Sequence, residues 1–394
     1  MKNLLILVWI KDLTSIFLFS LLFSTILFAQ SAPKIVPGTT EAMQHPGFWI
    51  SNIKDDPDRV IMTSEQIRKL NEKNQKRPFE TTDINGNPYS FRDVIDRKDI
   101  IGVQFKFENP LTIKSFPGDS LRARLNRHRK YLESRKFWDR RQLEYNDEMK
   151  AELIEKTDFN SIPDIIIPRY GVLVAHTLNR AFPTNFPGWN SKGGRSDIFQ
   201  STSLDFNTPV AILHTSKDKD WYYVRSELAF GWIPAAHVAE ETAGKIEKML
   251  EMKDFIVSTC HKVPVYADKE FKTFLVDFYL GSGLRLRKKS DDGYSVMVPF
   301  REPDGSLAYV PGWIKPDANV SMGFQPFTQR NIINTIFSLL SRRYGWADSF
   351  NERDCCGTVR AVYKTFGFLL PRWTTHQLHC TDQVHAFPRK TPNE

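Results

Sequence analysis

The spacing of apolar positions divides the chain into stretches of different character. Leu13 to Ala29 is an apolar and hydroxyl-bearing run without charge, and the sequence turns polar at Gln30 and Ser31. That pattern predicts a secretory signal peptide over 1–29. The competing reading is a membrane anchor, because the run is close to the lower length limit for a span. Residues 33 to about 50 are rich in Pro, Gly and Thr and predict an extended entry segment. Thr63-Ser64-Glu65-Gln66 then opens a helix, in which a hydroxyl cap with Glu or Gln soon after satisfies free N–H groups, and Ile67 and Leu70 supply its apolar face. From 119 to 156 Arg and Lys alternate with Glu and Asp around Leu121, Leu125, Leu132 and Trp138. This predicts one or two surface helices with ion pairs at three- and four-residue spacing.

The period then changes. Tyr170 to Ala175, Pro209 to His214 and Trp221 to Arg225 are short β-rich runs bounded by Gly, Pro, Asn and Asp. Phe274 to Phe278, Tyr294 to Val298 and Leu307 to Val310 repeat the style. The two stretches close on Gly231-Trp232-Ile233 and Gly312-Trp313-Ile314, 81 residues apart, which predicts an internal repeat of small barrel units. Trp221 and Trp232 are expected in barrel core or groove wall, and His214, His237 and His261 as turn or core histidines. Two helices follow. Asn331 to Arg343 is expected to turn Ile332, Ile333, Ile336, Leu339 and Leu340 inward. Thr358 to Phe366 carries Val359, Val362, Tyr363 and Phe366 on one face, with Gly367 placed to end it in a left-handed turn and Pro371 forbidding its resumption.

Candidate chemistry sits at the head of that last helix, in Asp354-Cys355-Cys356-Gly357. A thiol in a first helical turn lies beside unpaired N–H groups and the positive end of the dipole, which favours thiolate and is what a cysteine nucleophile requires. The same pattern also fits an ordinary buried cysteine capping a core helix. Cys260, Cys355, Cys356 and Cys380 show no metal-ligand spacing and no disulfide framework, so neither a metal nor another cofactor is expected.

Composition narrows the picture only slightly. The 394 residues allow two to four domains, and 41% hydrophobic with 25% charged residues is ordinary for a globular protein. Net charge is +8, and removal of a leader holding Lys2, Lys11 and Asp12 leaves +7. Such a balance attracts nucleic acid and anionic envelope polymers alike, but the mixed signs along 119–156 count against a nucleic-acid patch.

The run Tyr344-Gly345-Trp346, Arg353-Asp354-Cys355, Gly357, Phe366-Gly367 and Leu370-Pro371-Arg372 resembles the start of the NlpC/P60 cysteine peptidases, papain-like hydrolases of peptidoglycan stem peptides. The resemblance implies Cys355 as nucleophile, with Tyr344, Asp354 and Cys356 lining the site. Ala347 stands where the family usually has glycine, and Cys356 where it has serine, a weak donor in place of a good one. Ser196 to Val224 and Ala229 to Ile233 resemble the family's first bacterial SH3-type domain, and the second repeat resembles its partner. The segments His45 to Ile50 and Val60 to Asn71 are similar to the N-terminal clip of multidomain members.

The family's catalytic histidine lies on a strand after the cysteine helix, whereas this chain stops at Glu394 with only His376, His379 and His385 left after the nucleophile. The stretch around those three does not continue the family pattern, so the tail reads as truncated or frameshifted and the catalytic base stays unassigned. The expected fold class is α+β and multidomain: signal peptide 1–29, helical or irregular clip 33–156, SH3-like barrels 160–241 and 252–320, and a partial papain-like domain 325–394.

By resemblance this is a periplasmic or secreted monomer that cuts murein peptides between γ-D-glutamate and the diamino acid. Peptidoglycan or muropeptides would be its partners, with no nucleic acid and no integral membrane span after leader cleavage. The alternative from another class is an inactive, truncated homologue acting as a wall-binding SH3 protein.

Overall fold

The computed structural model describes residues 38–76, 109–251, 253–377 and 380, so the signal peptide read at 1–29 lies outside the described residues. The chain forms two compact units, divided between Asp55 and Asp56. In the first, a 3-10 turn at Ala42–Gln44 leads to α1 (Pro46–Ser51). The expected extended entry is therefore helical from 42 on. Pro46 occupies the first turn of α1, where its fixed φ suits a helix and its missing N–H costs nothing.

In the second unit, α2 (Ser64–Lys76) starts as its sequence predicts. The Thr63 N–H donates to Gln66 Oε1 at 2.8 Å, and the Gln66 N–H donates back to Thr63 Oγ1 at 3.3 Å. The charged stretch forms α3 (Gly118–Ser134) and α4 (Asp147–Lys156). Arg122 pairs with Asp119, and Arg129 with Glu133. Leu121 and Leu125 pack on the first sheet beside Trp221 and Trp232. A clasp of β1 (Phe116–Pro117) against β2 (Ile165–Ile166) ties the two ends of this helical stretch together.

Two seven-stranded antiparallel sheets follow. The first contains β3 (Arg169–Leu173), β4 (Thr177–Arg180), β5 (Gln200–Leu204), β6 (Pro209–Thr215), β7 (Trp221–Arg225), β8 (Phe230–Pro234) and β9 (Val238–Glu240), in the order β5-β4-β8-β7-β6-β3-β9. After α5 (Ala243–Leu250), the second contains β10 (Phe255–Ser258), β11 (Lys262–Tyr266), β12 (Phe274–Tyr279), β13 (Gly283–Ser290), β14 (Gly293–Arg301), β15 (Leu307–Ile314) and β16 (Val320–Met322). Its order, β12-β11-β15-β14-β13-β10-β16, reproduces the first strand for strand.

The repeated Gly-Trp-Ile falls on β8 and β15, and its glycine is a packing requirement. A Cβ at Gly231 would lie 2.2 Å from Asn179 Oδ1, and one at Gly312 would lie 2.7 Å from side-chain carbons of Val265 and Val298. Ile233 and Ile314 are fully buried, each in its own sheet's core. Trp232 is fully buried beneath α3, while Trp313 is only partly covered and lies beneath Lys269.

The last part is helical: α6 (Gln329–Phe337), α7 (Cys355–Lys364) and the short α8 (Thr374–Gln377). Ile67 of α2 packs with Phe327, Ala361, Val362, Phe366 and Phe368 into one cluster. α6 starts two residues earlier than expected and ends at Phe337, well before Arg343, and Ser341 beyond it is left-handed at φ 67°. Ile336 and Leu340 were expected to face inward and are nearly half exposed, as is Val359 on α7. An apolar stripe predicts a sticky face without naming what covers it. Gly367 ends the helix at φ +90°, as expected, and the Phe368 N–H returns to the Tyr363 carbonyl.

Candidate active site

The turn before α7 is held in an uncommon conformation. Ala347, Asp348, Phe350 and Asn351 all have positive φ, between 51° and 60°. A left-handed residue with a Cβ costs about 1–2 kcal/mol, which gives a reason for glycine at position 347 and a strain that this chain retains with alanine. Several contacts hold the turn. Gln200 Nε2 on β5 donates to the Ala347 carbonyl at 2.8 Å, and Thr202 Oγ1 donates to Asp348 Oδ2 at 3.2 Å. Asp348, 1% exposed, accepts the Asp354 N–H at 3.1 Å. Its carboxylate lies against the helix at Gly357, where a Cβ would come within 2.0 Å of Oδ1.

Asp354 is the N-cap of α7. Its Oδ1 accepts the Gly357 N–H at 2.8 Å, and the helix therefore begins at Cys355, three residues earlier than the apolar spacing alone predicts. Arg372 was part of the family run but had no assigned role. Its side chain is fully buried, with Nη2 on Asp354 Oδ2 at 2.6 Å and Nη1 on Oδ1 at 3.1 Å. Nε donates to Thr202 Oγ1 at 2.7 Å, and Asp348 lies 3.6 Å away. Burial would raise the pKa of Asp354, but the charge and hydrogen bonds of Arg372 outweigh it and hold the carboxyl below its usual range. Desolvation likewise opposes the charge of Arg372, and Asp348 and Asp354 overcome it.

The two thiols differ sharply. Cys356 is buried, with its Sγ 3.4 Å from Asp354 Oδ1 and 3.0 Å from Arg372 Nη1. Burial pushes its pKa up, against the pull of the guanidinium. Cys355 is exposed, and its Sγ lies 3.9 Å from Thr374 Oγ1 of α8. Tyr344 is 63% exposed and pairs through its backbone with Arg353. Burial first, and then the negative charge of Asp354 and the thiols, push its phenol pKa up. The donor atoms of Asp354, Cys355 and Cys356 lie within 4.8 Å of one another, a juxtaposition that spacing did not signal. Both Asp354 oxygens and the Cys356 sulfur already face the Arg372 guanidinium, a poor setting for a cation.

Of the proposed bases, His379 and His385 lie outside the described residues, and His376 is described only as backbone of α8. His214 and His237 are structural, as expected. His214 Nε2 reaches the Thr157 and Asp158 carbonyls, and His237 Nδ1 reaches Thr177 Oγ1. His261 sits against Arg342. Gln200 and Thr202 escaped sequence reasoning because they lie on a distant strand, where they look like ordinary polar residues of a β-run.

Residues 187–234 match the family model of an SH3 domain of the SH3b1 type, a span that includes β5 to β8. No curated protein matches the chain. Among solved structures, the chain is similar to an NlpC/P60 endopeptidase from Photobacterium damselae subsp. piscicida, at 20% identity and a TM-score of 0.64, over 83% of this chain and 68% of that one. It is also similar to an NlpC/P60 family protein from Bacillus cereus ATCC 10987, at 17% identity and a TM-score of 0.39, over 53% and 76%. The first likeness is one of fold. Among the described residues, no helix is long and apolar enough to cross a membrane.

Proposed function

We propose that the protein is an exported cell-wall cysteine peptidase with Cys355 as nucleophile, hydrolysing murein stem peptides at the γ-D-glutamyl–diamino acid bond. The observation that carries this reading is the exposed Cys355 thiol at the head of a helix whose cap, Asp354, is fixed by the buried Arg372. In this reading Cys355 Sγ attacks the carbonyl carbon, and the Cys355 N–H at the helix head receives the developing oxyanion. A histidine acts as base, taking the thiol proton and passing it to the departing amine, and water then hydrolyses the thioester left on Cys355. Tyr344, Asp354 and Cys356 border the site. The division into leader 1–29, clip 33–156, barrels 160–241 and 252–320 and peptidase portion 325–394 belongs to the same proposal, as do a periplasmic or secreted location and a monomeric state.

The SH3b1-type match over 187–234 supports a second reading, in which the protein binds the wall without cutting it. Incubating purified protein with muropeptides separates the two. Peptidase action predicts new free amines with the native chain and none with Cys355→Ala. Binding to sacculi without turnover by either form would leave the second reading standing.

A further inference from the structure

The two sheets match strand for strand and bulge for bulge, yet one face of each is built differently. In the first sheet His214, Tyr223 and Trp232 form a row across β6, β7 and β8, and Leu213 is the extra residue of a bulge in β6. Leu213, Tyr223 and Trp232 are buried together with Leu121 and Leu125 of α3. In the second sheet the matching row is Lys288, Ser295, Trp313 and Tyr266 across β13, β14, β15 and β11, and the extra residue is Arg287. Opposite residues of paired strands share a face. Val265, Val296 and Ile314, one position along, lie in the core, so this row faces outward. An outward face needs only to be polar, and this one is polar with a single sign. Arg285, Arg287 and Lys288 of β13 are exposed, whereas β6, its counterpart, carries no Lys, Arg, Asp or Glu. Lys269 and Lys315 are exposed at the other end of the row, with Nζ 4.9 Å from the Trp313 ring and 5.9 Å from the Tyr266 ring respectively. Among the described residues none of these five cations has a carboxylate partner, while Arg122 and Arg129 of α3 pair with Asp119 and Glu133. Asp268, in the turn beside Lys269, accepts the Lys272 and Thr273 N–H groups.

We propose that this face of the second sheet binds a linear polymer with a phosphate-bearing backbone. From β13 to β11 is three strand spacings, about 14 Å, so the cations at the two ends of the row reach successive anions of one chain and not a single phosphate. The guanidinium forks of Arg285 and Arg287 suit phosphate oxygens, and unpaired like charges on one face draw in a polyanion that relieves their repulsion. The two rings among these cations, Trp313 and Tyr266, lie beneath lysine ammonium groups. Neither is free to stack on a base or to enter a bilayer, which favours a polymer without bases over nucleic acid or a membrane surface. Binding is reversible and independent of Cys355.

Calorimetric titration of the full chain with long-chain inorganic polyphosphate, repeated over a range of salt concentrations, tests this. Saturable binding is expected, with an affinity that falls as salt rises. The double variant Arg287→Ser, Lys288→Ser should bind at least about tenfold more weakly, with a log–log salt slope shallower by roughly one to two. Lys315→Ser, at the other end of the row, should weaken binding as well, so the two ends are tested by separate proteins. Arg129→Ser on α3 and Cys355→Ala should bind as the native chain does. Inorganic tripolyphosphate, too short to reach across the row, should bind at least about tenfold more weakly than the long chain. No saturable binding at low salt, or binding indifferent to the β13 double variant and to Lys315→Ser, overturns the proposal. So does equal binding of tripolyphosphate, which would mark a single-phosphate site, or of polyglutamate, which would mark charge alone. Tighter binding of a thymidine homopolymer would assign the face to nucleic acid instead, and capture by phosphatidylglycerol vesicles without polyphosphate binding would assign it to a membrane.

Discussion

At the scale of single residues, Arg372 organises the candidate site. Its guanidinium is fully buried and shared among Asp354, Asp348, Thr202 and Cys356. Removing one partner of a buried ion pair leaves the other charge uncompensated, at a cost of about 3–5 kcal/mol. Arg372→Met should therefore lower the unfolding free energy by an amount in that range, seen as a lower urea midpoint, and also slow alkylation of Cys355, because Asp354 loses the group that fixes it as helix cap. A midpoint unchanged within error would show that Arg372 is a bystander. This arginine was visible in the sequence as part of Leu370-Pro371-Arg372, but its partner was not. Only the folded chain brings the residue after a helix-stopping proline back to the cap of the helix before it.

At the scale of elements, β5 and α7 are held as one piece although they lie far apart in sequence. Thr202 receives a hydrogen bond from Arg372, 170 residues away, and donates to Asp348, 146 residues away. Thr202→Val keeps the shape and removes the hydroxyl, leaving a buried donor and acceptor unmatched, so a loss of about 1–3 kcal/mol is expected. Thr202→Ser should restore most of it. The accompanying readout is the rate of Cys355 alkylation at fixed pH, which should change in the valine variant and return in the serine variant. An unchanged rate with lowered stability would reduce Thr202 to a packing role. The elements themselves were largely legible. The capping box at Thr63, the stop at Gly367 and the repeated strand runs rest on local rules of hydrogen bonding and period. The left-handed turn at 347–351 was not, because tertiary hydrogen bonds from β5 hold residues there that would avoid that conformation in isolation.

At the scale of the whole second unit, buried ionisable groups set how the fold responds to pH. Asp205, after β5, lies 3.4 Å from Lys364 at the end of α7 and 3.4 Å from His176, whose ring stacks on Tyr279 of β12. Desolvation of Asp205 is outweighed by Lys364 and His176, and its pKa lies well below the usual value, so its contribution fades only in strong acid. The histidines act earlier. Burial lowers His128 from 6.5 to about 3, and lowers His214 and His237 as well. Between those two values the unfolded chain binds the proton and the folded one does not, so stability falls as pH drops through that window, by up to about 1.4 kcal/mol per pH unit for His128. Urea midpoints from pH 7 to pH 4 should decline, and the slope should flatten in His128→Phe. A decline confined to below about pH 4 would assign the effect to carboxylates instead.

The sequence alone determined what depends on near neighbours: helix starts and stops, the strand runs, the duplicated Gly-Trp-Ile unit and a cysteine at the head of a helix. Tertiary structure decided which apolar faces are covered and how Arg372 and β5 hold the turn before Cys355. The physical reason is that local rules act over a few residues, whereas burial and charge pairing are settled by groups that only the closed chain brings together.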